Sequence, residues 1–226
     1  MTSVGIVVQA RMGSTRLPGK VMRLVGHLPL LGHVIGRMAL LSKPLPVIVA
    51  TSTDARDDAI VEWCRQAGVS TFRGDEQDVL NRYVQCASAG GFEHVVRLTA
   101  DNPFTDITEL ERLVQHHLAG KFDYTHSFGM MPIGVGAEIM TRDALERSHI
   151  EGHEPHHREH VNEYIQEHPE LFRIGVLNVP TGKIAPNLRL TIDTEEDWRR
   201  ADVIAQHANG HWLDTQEVIA LCLSSA

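Results

Sequence analysis

The feature that most restricts the fold is an alternation, up to about residue 120, of short β-branched runs with amphipathic helical stretches. Strand-sized apolar runs fall at 4–9, 46–51, 70–73 and 94–99, and the segments 30–41, 55–67, 77–89 and 107–118 carry apolar residues at helical spacing. Strands separated by helices in this way build βαβ units, so the pattern predicts an α/β fold with a mostly parallel, Rossmann-like sheet. In the helix predicted at 55–67, Ile60, Trp63, Cys64 and Ala67 make the apolar stripe, which leaves Arg56, Asp57, Asp58, Glu62 and Arg65 on the solvated faces. The rhythm changes after Gly120, where short apolar runs (123–127, 135–140, 173–179, 188–192) surround a His-rich stretch and a helical pattern over 156–167. Residues 121–170 are therefore expected to form a lobe or arm inserted in a single domain spanning 1–226. Thr194-Glu195-Glu196-Asp197 has the composition of a helix start, with a capping hydroxyl and acidic groups at the positive end of the helix dipole.

Ligands of an open α/β sheet bind beyond the carboxyl ends of its strands. Five polar clusters stand there: the loop from Gln9 to Lys20, Thr51-Ser52-Thr53-Asp54, Arg73-Gly74-Asp75-Glu76, Thr99-Ala100-Asp101-Asn102-Pro103, and Asp193 after the run at 188–192. The first has three cations, two glycines and two hydroxyls in twelve residues, QARMGSTRLPGK. That mixture suits a triphosphate, because glycines admit backbone N–H groups to phosphate oxygens while Arg and Lys neutralise them. A P-loop is a poor match. Five residues separate Gly13 from Gly19, and Val21 stands where the magnesium-binding hydroxyl would follow Lys20. Asp101 and Asp193 are the metal candidates, since Mg²⁺ takes one or two protein carboxylates beside phosphate and water. Each also has a simpler reading, Asp101 as the cap of the turn before Pro103 and Asp193 as the cap of the last helix.

Charge agrees with an anion site. The chain carries 21 Lys and Arg against 29 Asp and Glu, yet no acidic residue precedes Asp54, so residues 1–53 are +6 and the remainder is −14. An acidic protein with a basic head argues for a local anion site rather than a nucleic-acid surface. No apolar stretch is long enough for a membrane span, and Cys64, Cys86 and Cys222 are too scattered for a disulfide framework, so a cytoplasmic protein is expected.

These residues resemble the sugar-acid cytidylyltransferases, most closely the branch of spore coat polysaccharide biosynthesis protein F and its CMP-KDO synthetase homologues. The resemblance rests on Gln9 to Lys20, Ala50-Thr51-Ser52, Arg73 to Leu80, Arg97-Leu98-Thr99-Ala100-Asp101-Asn102-Pro103, Arg158-Glu159-His160-Val161 and Ile192 to Asp197. It implies a three-layer α/β/α nucleotide-diphospho-sugar transferase fold with a small β-rich dimerisation arm, a homodimer, and the reaction CTP + sugar acid → CMP-sugar + pyrophosphate with Mg²⁺, serving surface polysaccharide synthesis. It also implies that Arg11, Arg16, Lys20 and Asp101 are catalytic and that Gln9, Ala10, Arg11, Gly13, Ser14, Lys20, Thr51, Ser52, Arg73, Gly74 and Asp75 bind the nucleotide. By the same resemblance Asp101 and Asp193 hold the metal, and Arg158 and His160 receive the anionic acceptor. Four positions depart from the pattern: Ala100 replaces a usual Gly, Thr191 a second Asp, and Asn162-Glu163 the common Thr-Pro.

Two other classes compete. One is a nucleotidyltransferase for a phosphonate or polyol phosphate, and the other a non-catalytic nucleotide-binding module. His153, His156, His157 and His160 raise zinc as a further possibility, with His156 and His160 at helical i, i+4 spacing. No HExxH motif supports it, and Pro155 interrupts the start of the helix.

Overall fold

Along β1 (Val4–Gln9), Val4, Ile6 and Val8 pack into one apolar layer and Val7 into another, the period of two expected of a strand covered on both faces. The computed structural model describes residues 3–208 and 210–224. After β1 come a small antiparallel pair, β2 (Leu24–Val25) and β3 (Leu28–Pro29), then α1 (Leu30–Arg37), β4 (Val47–Ser52), α2 (Asp58–Gln66) and β5 (Ser70–Gly74). The chain continues through α3 (Val79–Gly90), β6 (His94–Thr99), α4 (Ile107–Gly120), β7 (Tyr124–His126), β8 (Glu138–Thr141) and α5 (Arg142–Glu151). It ends with α6 (Pro155–Glu159), α7 (Glu163–Glu167), β9 (Ile174–Val176), α8 (Glu195–His207) and α9 (Thr215–Ser224).

The main sheet has the order β5-β4-β1-β6-β8-β7-β9, and β8 alone among its strands runs against the others. One face buries Leu31 and Val34 of α1, Ile60 and Cys64 of α2, and Leu110 and Leu113 of α4. The other buries Leu80 and Tyr83 of α3, Leu145 of α5 and Ile165 of α7. The result is the expected three-layer α/β/α arrangement. A third apolar cluster seats Ala201 and Ile204 of α8 and Val218 of α9 beside Leu17, Leu30 and Phe104.

The second half differs from its sequence reading. Residues 121–170 do not make a β-rich arm: β7 and β8 hydrogen-bond into the main sheet beside β6, and α5, α6 and α7 follow. The helical pattern over 156–167 is two short helices, broken where His160 turns extended at φ −114° and ψ 104°. The run at 188–192 is no strand; it touches residue 133 through one isolated bridge at Arg189, although Leu190 and Ile192 are buried. Thr194 does cap α8, its hydroxyl accepting from the Asp197 N–H. Among the described residues no helix is long and apolar enough to cross a membrane.

Candidate active site

Gln9 ends β1, and the chain leaves the sheet as a loop that closes in a single 3-10 turn at Lys20–Met22. Gly19, just before that turn, has φ +69°, a left-handed conformation that disfavours a side chain. The loop is tied at its middle: Gly19 N–H donates to the Met12 carbonyl at 3.0 Å, and Met12 N–H donates to an Asp57 carboxylate oxygen at 2.7 Å. Asp57 is 2% exposed and also accepts from Thr51 Oγ1 (2.9 Å), Ser52 N–H (3.0 Å) and Ser52 Oγ (2.5 Å). Burial pushes its pKa up, but the hydrogen bonds from Ser52, Met12 and Thr51 win and hold it below the ordinary carboxylate value. Far from lying on a solvated face, Asp57 fastens the phosphate-type loop to the end of β4.

The buried Lys20 ammonium is the centre of the site. Its Nζ donates to Asp101 Oδ2 (2.7 Å), Asp193 Oδ1 (2.9 Å) and the Ile192 carbonyl (2.8 Å). Asp101 follows β6 and is oriented by Thr99 Oγ1, which donates to its Oδ1 at 2.5 Å and accepts from Asn102 Nδ2 at 2.9 Å. Asp193 does not cap α8; its carboxylate turns to Lys20, to Arg16 at 3.2 Å and to Arg189. Burial acts to raise the pKa of Asp193, and Lys20, Arg16 and Arg189 together keep it low.

Around this triad lies a cavity of about 360 Å³. Gln9, Ala10, Arg11, Gly13, Ser14 and Lys20 line it, as the nucleotide expectation requires, and so do Arg16, Asp101, Asp193 and His160. Arg11 reaches across it to Glu159 at 2.6 Å. The remaining expected residues do not line it. Thr51 and Ser52 are wholly buried on Asp57. The Arg73 guanidinium is spent on the Ser52 carbonyl, the Asp54 carbonyl and Asp58. Gly74 lies under Arg82, where a Cβ would meet Arg82 Cγ at 3.0 Å, and Asp75 caps the turn into α3 through Gln77 and Asp78 N–H groups. Arg158 points away, to Asp78 at 3.7 Å and to His149.

Arg97 also lines the cavity. It sits opposite Glu138 in the β6 and β8 ladder, and Nη1 donates to Glu138 Oε1 at 2.5 Å. Glu138, 1% exposed, accepts on Oε2 from Tyr124 Oη (2.5 Å) and Asn162 Nδ2 (2.8 Å). Burial alone would depress the Arg97 pKa; the adjacent Glu138 charge reverses this and raises it. The histidines divide: His160 faces the cavity, whereas His156 and His157 both turn their Nε2 atoms to Glu167, at 2.9 and 2.7 Å. These three could contribute one ligand atom each to a metal, but His157 Nδ1 accepts the Glu154 N–H at 3.3 Å, which leaves its Nε2 as the protonated donor.

A model of the cytidylyltransferase family matches residues 5–218. The chain belongs to the cytidylyltransferase family. Spore coat polysaccharide biosynthesis protein SpsF of Bacillus subtilis (strain 168) is 38% identical to this cytidylyltransferase over 213 residues, covering 92% of this chain and 88% of that one. The solved structure of a cytidylyltransferase from Leptospira borgpetersenii serovar Hardjo-bovis (strain JB197) superposes with a TM-score of 0.94 at 30% identity, covering 100% of this chain and 95% of that chain. A structure of CMP:2-keto-3-deoxy-manno-octonic acid synthetase complexed with CTP shares the fold, with a TM-score of 0.70 at 16% identity over 91% of this chain and 99% of that chain.

In this cytidylyltransferase the structure brings together the loop, Lys20 and both aspartates that the sequence pointed to, and beside them it places Asp57 and Glu138, which the sequence reading did not single out. Asp57 had one available signal: it stands five residues after Ser52, close enough to fold back on the strand end. Glu138 had none, because its partners lie 41 residues upstream at Arg97 and 24 downstream at Asn162.

Proposed function

We propose that this cytidylyltransferase transfers the CMP unit of CTP to the hydroxyl of a sugar acid, releasing pyrophosphate, in the synthesis of a surface polysaccharide. The convergence of Lys20, Asp101 and Asp193 in a cavity edged by Arg11, Arg16 and Ser14 carries the reading of phosphate chemistry. The sugar acid follows from the relatives named above. In the reaction the acceptor oxygen forms a bond to the α-phosphorus while the bond from that phosphorus to the bridging oxygen of pyrophosphate breaks. The hydroxyl proton passes to solvent. Arg11 and Arg16 hold the phosphates and Lys20, its three N–H groups given to Asp101, Asp193 and the Ile192 carbonyl, adds its charge beside them, so the chain contributes mainly positioning and preorganised charge.

The donor set fits Mg²⁺. Two partly exposed carboxylates, Asp101 and Asp193, converge on one cationic point, the Lys20 ammonium, and hard oxygen donors in that number leave positions for phosphate and water. When bound, Mg²⁺ supplies charge neutralisation at the phosphates. Thr99 and Asn102 keep Asp101 turned toward the cavity, while Arg189 does the same for Asp193. We extend the reading to a homodimer in the cytoplasm, in keeping with the unpaired Cys64, Cys86 and Cys222; light scattering checks the dimer.

The test is pyrophosphate release with CTP, Mg²⁺ and a panel of KDO, sialic, pseudaminic and legionaminic acids, beside phosphonates and polyol phosphates. Thermal shifts with CTP, UTP, ATP and GTP report base preference, since a ligand of the native state raises its melting temperature. Turnover of a sugar acid with CTP is expected. Turnover only of a phosphonate or polyol phosphate, or tight CTP binding without any turnover, would refute the reading.

A further inference from the structure

We infer that Arg97 is the residue that receives the acceptor's anionic group, and that Glu138, Tyr124 and Asn162 aim it. The inference rests on the sugar-acid reading above and deepens it. Arg97 and Thr99 occupy alternate positions of β6, so they point to the same side of the strand, with Asp101 just beyond its end. Arg97 thus lies about 7 Å along the strand behind Thr99 and lines the same cavity as Arg11, Arg16 and Lys20. An acceptor attacking the α-phosphorus must come from the side opposite the leaving pyrophosphate. With pyrophosphate held by the loop's Arg11 and Arg16, Arg97 is, among the described residues that line the cavity, the one arginine outside that loop and so the one left for an incoming anion. In a sugar acid whose reacting hydroxyl and carboxylate share a carbon, the carboxylate must be received close to the reacting phosphorus.

The hydrogen-bond inventory separates Arg97 from an ordinary structural ion pair. Glu138 is fully supplied, taking Arg97 Nη1 on one oxygen and Tyr124 and Asn162 on the other. Arg97 is not. Its Nη2 makes only a 3.4 Å contact to Gln9 Oε1, and its buried Nε has no partner. A guanidinium has five N–H groups in a fixed fork that matches a carboxylate. Here Nη1 is gripped by Glu138, the Tyr83 ring lies 5.9 Å from the guanidinium carbon, and the residue lines the cavity with Nη2 and Nε not firmly bonded. Arg158, the arginine that family resemblance assigns to the acceptor, is bound to Asp78 and His149 outside this cavity. Asn162, one of the departures from the family pattern, is tied to Glu138, which links that departure to the aim of Arg97.

The test compares wild type with Arg97→Lys, Arg97→Met and the double variant Arg97→Met/Glu138→Gln, the last included because Arg97→Met alone leaves a buried carboxylate without its counter-charge. Pyrophosphate release gives KM for the accepted acid and for its neutral carboxamide, and calorimetry gives the Kd for CTP. The expected result is an acid KM raised about 10²-fold or more in both Met variants, a smaller rise in Arg97→Lys, and CTP affinity within about twofold of wild type. Wild type should prefer acid over carboxamide, and the Met variants should lose that preference. A purely structural role would lower CTP affinity and melting temperature together and leave the acid-to-amide ratio alone, which would overturn the inference. If wild type uses a phosphonate or polyol phosphate instead, the sugar-acid reading fails while the same KM ratio, measured with that anion, still decides Arg97. Absence of turnover with every anionic acceptor would overturn both.

Discussion

Replacing Asp57 by Ala tests whether the site is held from beneath by one buried carboxylate. Four donors converge on it: Met12 N–H, Thr51 Oγ1, Ser52 N–H and Ser52 Oγ. At about 1 kcal/mol net for each hydrogen bond left without its acceptor, the loss is about 4 kcal/mol. For a chain of this size that corresponds to a fall of about 8–16 °C in melting temperature. One of the four bonds also fastens the loop that carries Arg11 and Arg16, so CTP affinity should fall by about 10-fold or more, the equivalent of one hydrogen bond to a charged group. Asp57→Asn keeps one acceptor oxygen and should lose about half as much stability. The pH dependence supplies an independent check. Because the folded carboxyl sits below its ordinary value, its contribution is complete above about pH 4 and is lost as the pH falls through the depressed value. The gap between wild type and Asp57→Asn is therefore widest at neutral pH and narrows in acid. Thermal melts and CTP calorimetry at pH 7, with denaturant titrations down to pH 3, measure all of this. An Asp57→Ala protein that melts within 2 °C of wild type, on the scale used above, or a gap that widens on acidification, would refute the reasoning.

Asp101→Asn should leave the melting temperature nearly unchanged and reduce kcat by about 10² to 10³, as for the loss of one preorganised charged group; wild-type pyrophosphate release would remove Asp101 from the chemistry. His117 is fully buried between His94 Nδ1 and Thr125 Oγ1, and burial, with the nearby His94 and His116, lowers its pKa to about 4. The unfolded chain therefore binds a proton that the folded one refuses between about pH 6.5 and 4, so stability should drop over that window by up to about 3 kcal/mol. Urea titrations of wild type and His117→Gln should show that slope in the first and not the second. Thr194→Ala removes the cap of α8 and should cost about 1 kcal/mol, read as a shift in the denaturation midpoint.

The half of the fold that was legible is the half built from local signals. β1, β4, β5 and β6 each combine an apolar run with a polar cluster at the carboxyl end, and α3 and α4 open on Asp caps at Asp78 and Asp106. α5 escaped because it buries only Ala144, Leu145 and Ser148 of its ten residues, too narrow a stripe to stand out. Residues 188–192 alternate like a strand because Leu190 and Ile192 enter the third apolar cluster, yet among the described residues they make one isolated bridge, at Arg189, and no ladder. Site residues followed the same division. Lys20, Asp101 and Asp193 stood in motifs at strand or helix ends, whereas Asp57 carried the same polar signature as the truly exposed Asp58 beside it. Arg97 stood within a recognised motif but without a role, since its role depends on a partner that only the sheet brings near.

The reversed direction of β8 also sets how stiff the two ends of the cavity are. A ligand site at the carboxyl edge of a parallel sheet is normally made by chain that has already left its strand, and so is only as steady as its loops. At β8 the chain enters the sheet at that edge, which makes Glu138 the first rung of a ladder whose next residues, Ile139 and Met140, are wholly buried. Arg97 is likewise inside β6 rather than beyond it. Arg97 and Glu138 are thus held inside strand ladders, while the loop from Arg11 to Lys20 is pinned at Met12 by the Asp57 carboxylate and the Gly19 N–H. One wall is built from sheet and the other from a loop, so a substitution in the loop can shift Arg11 and Arg16 while the Arg97 guanidinium stays where Glu138 holds it.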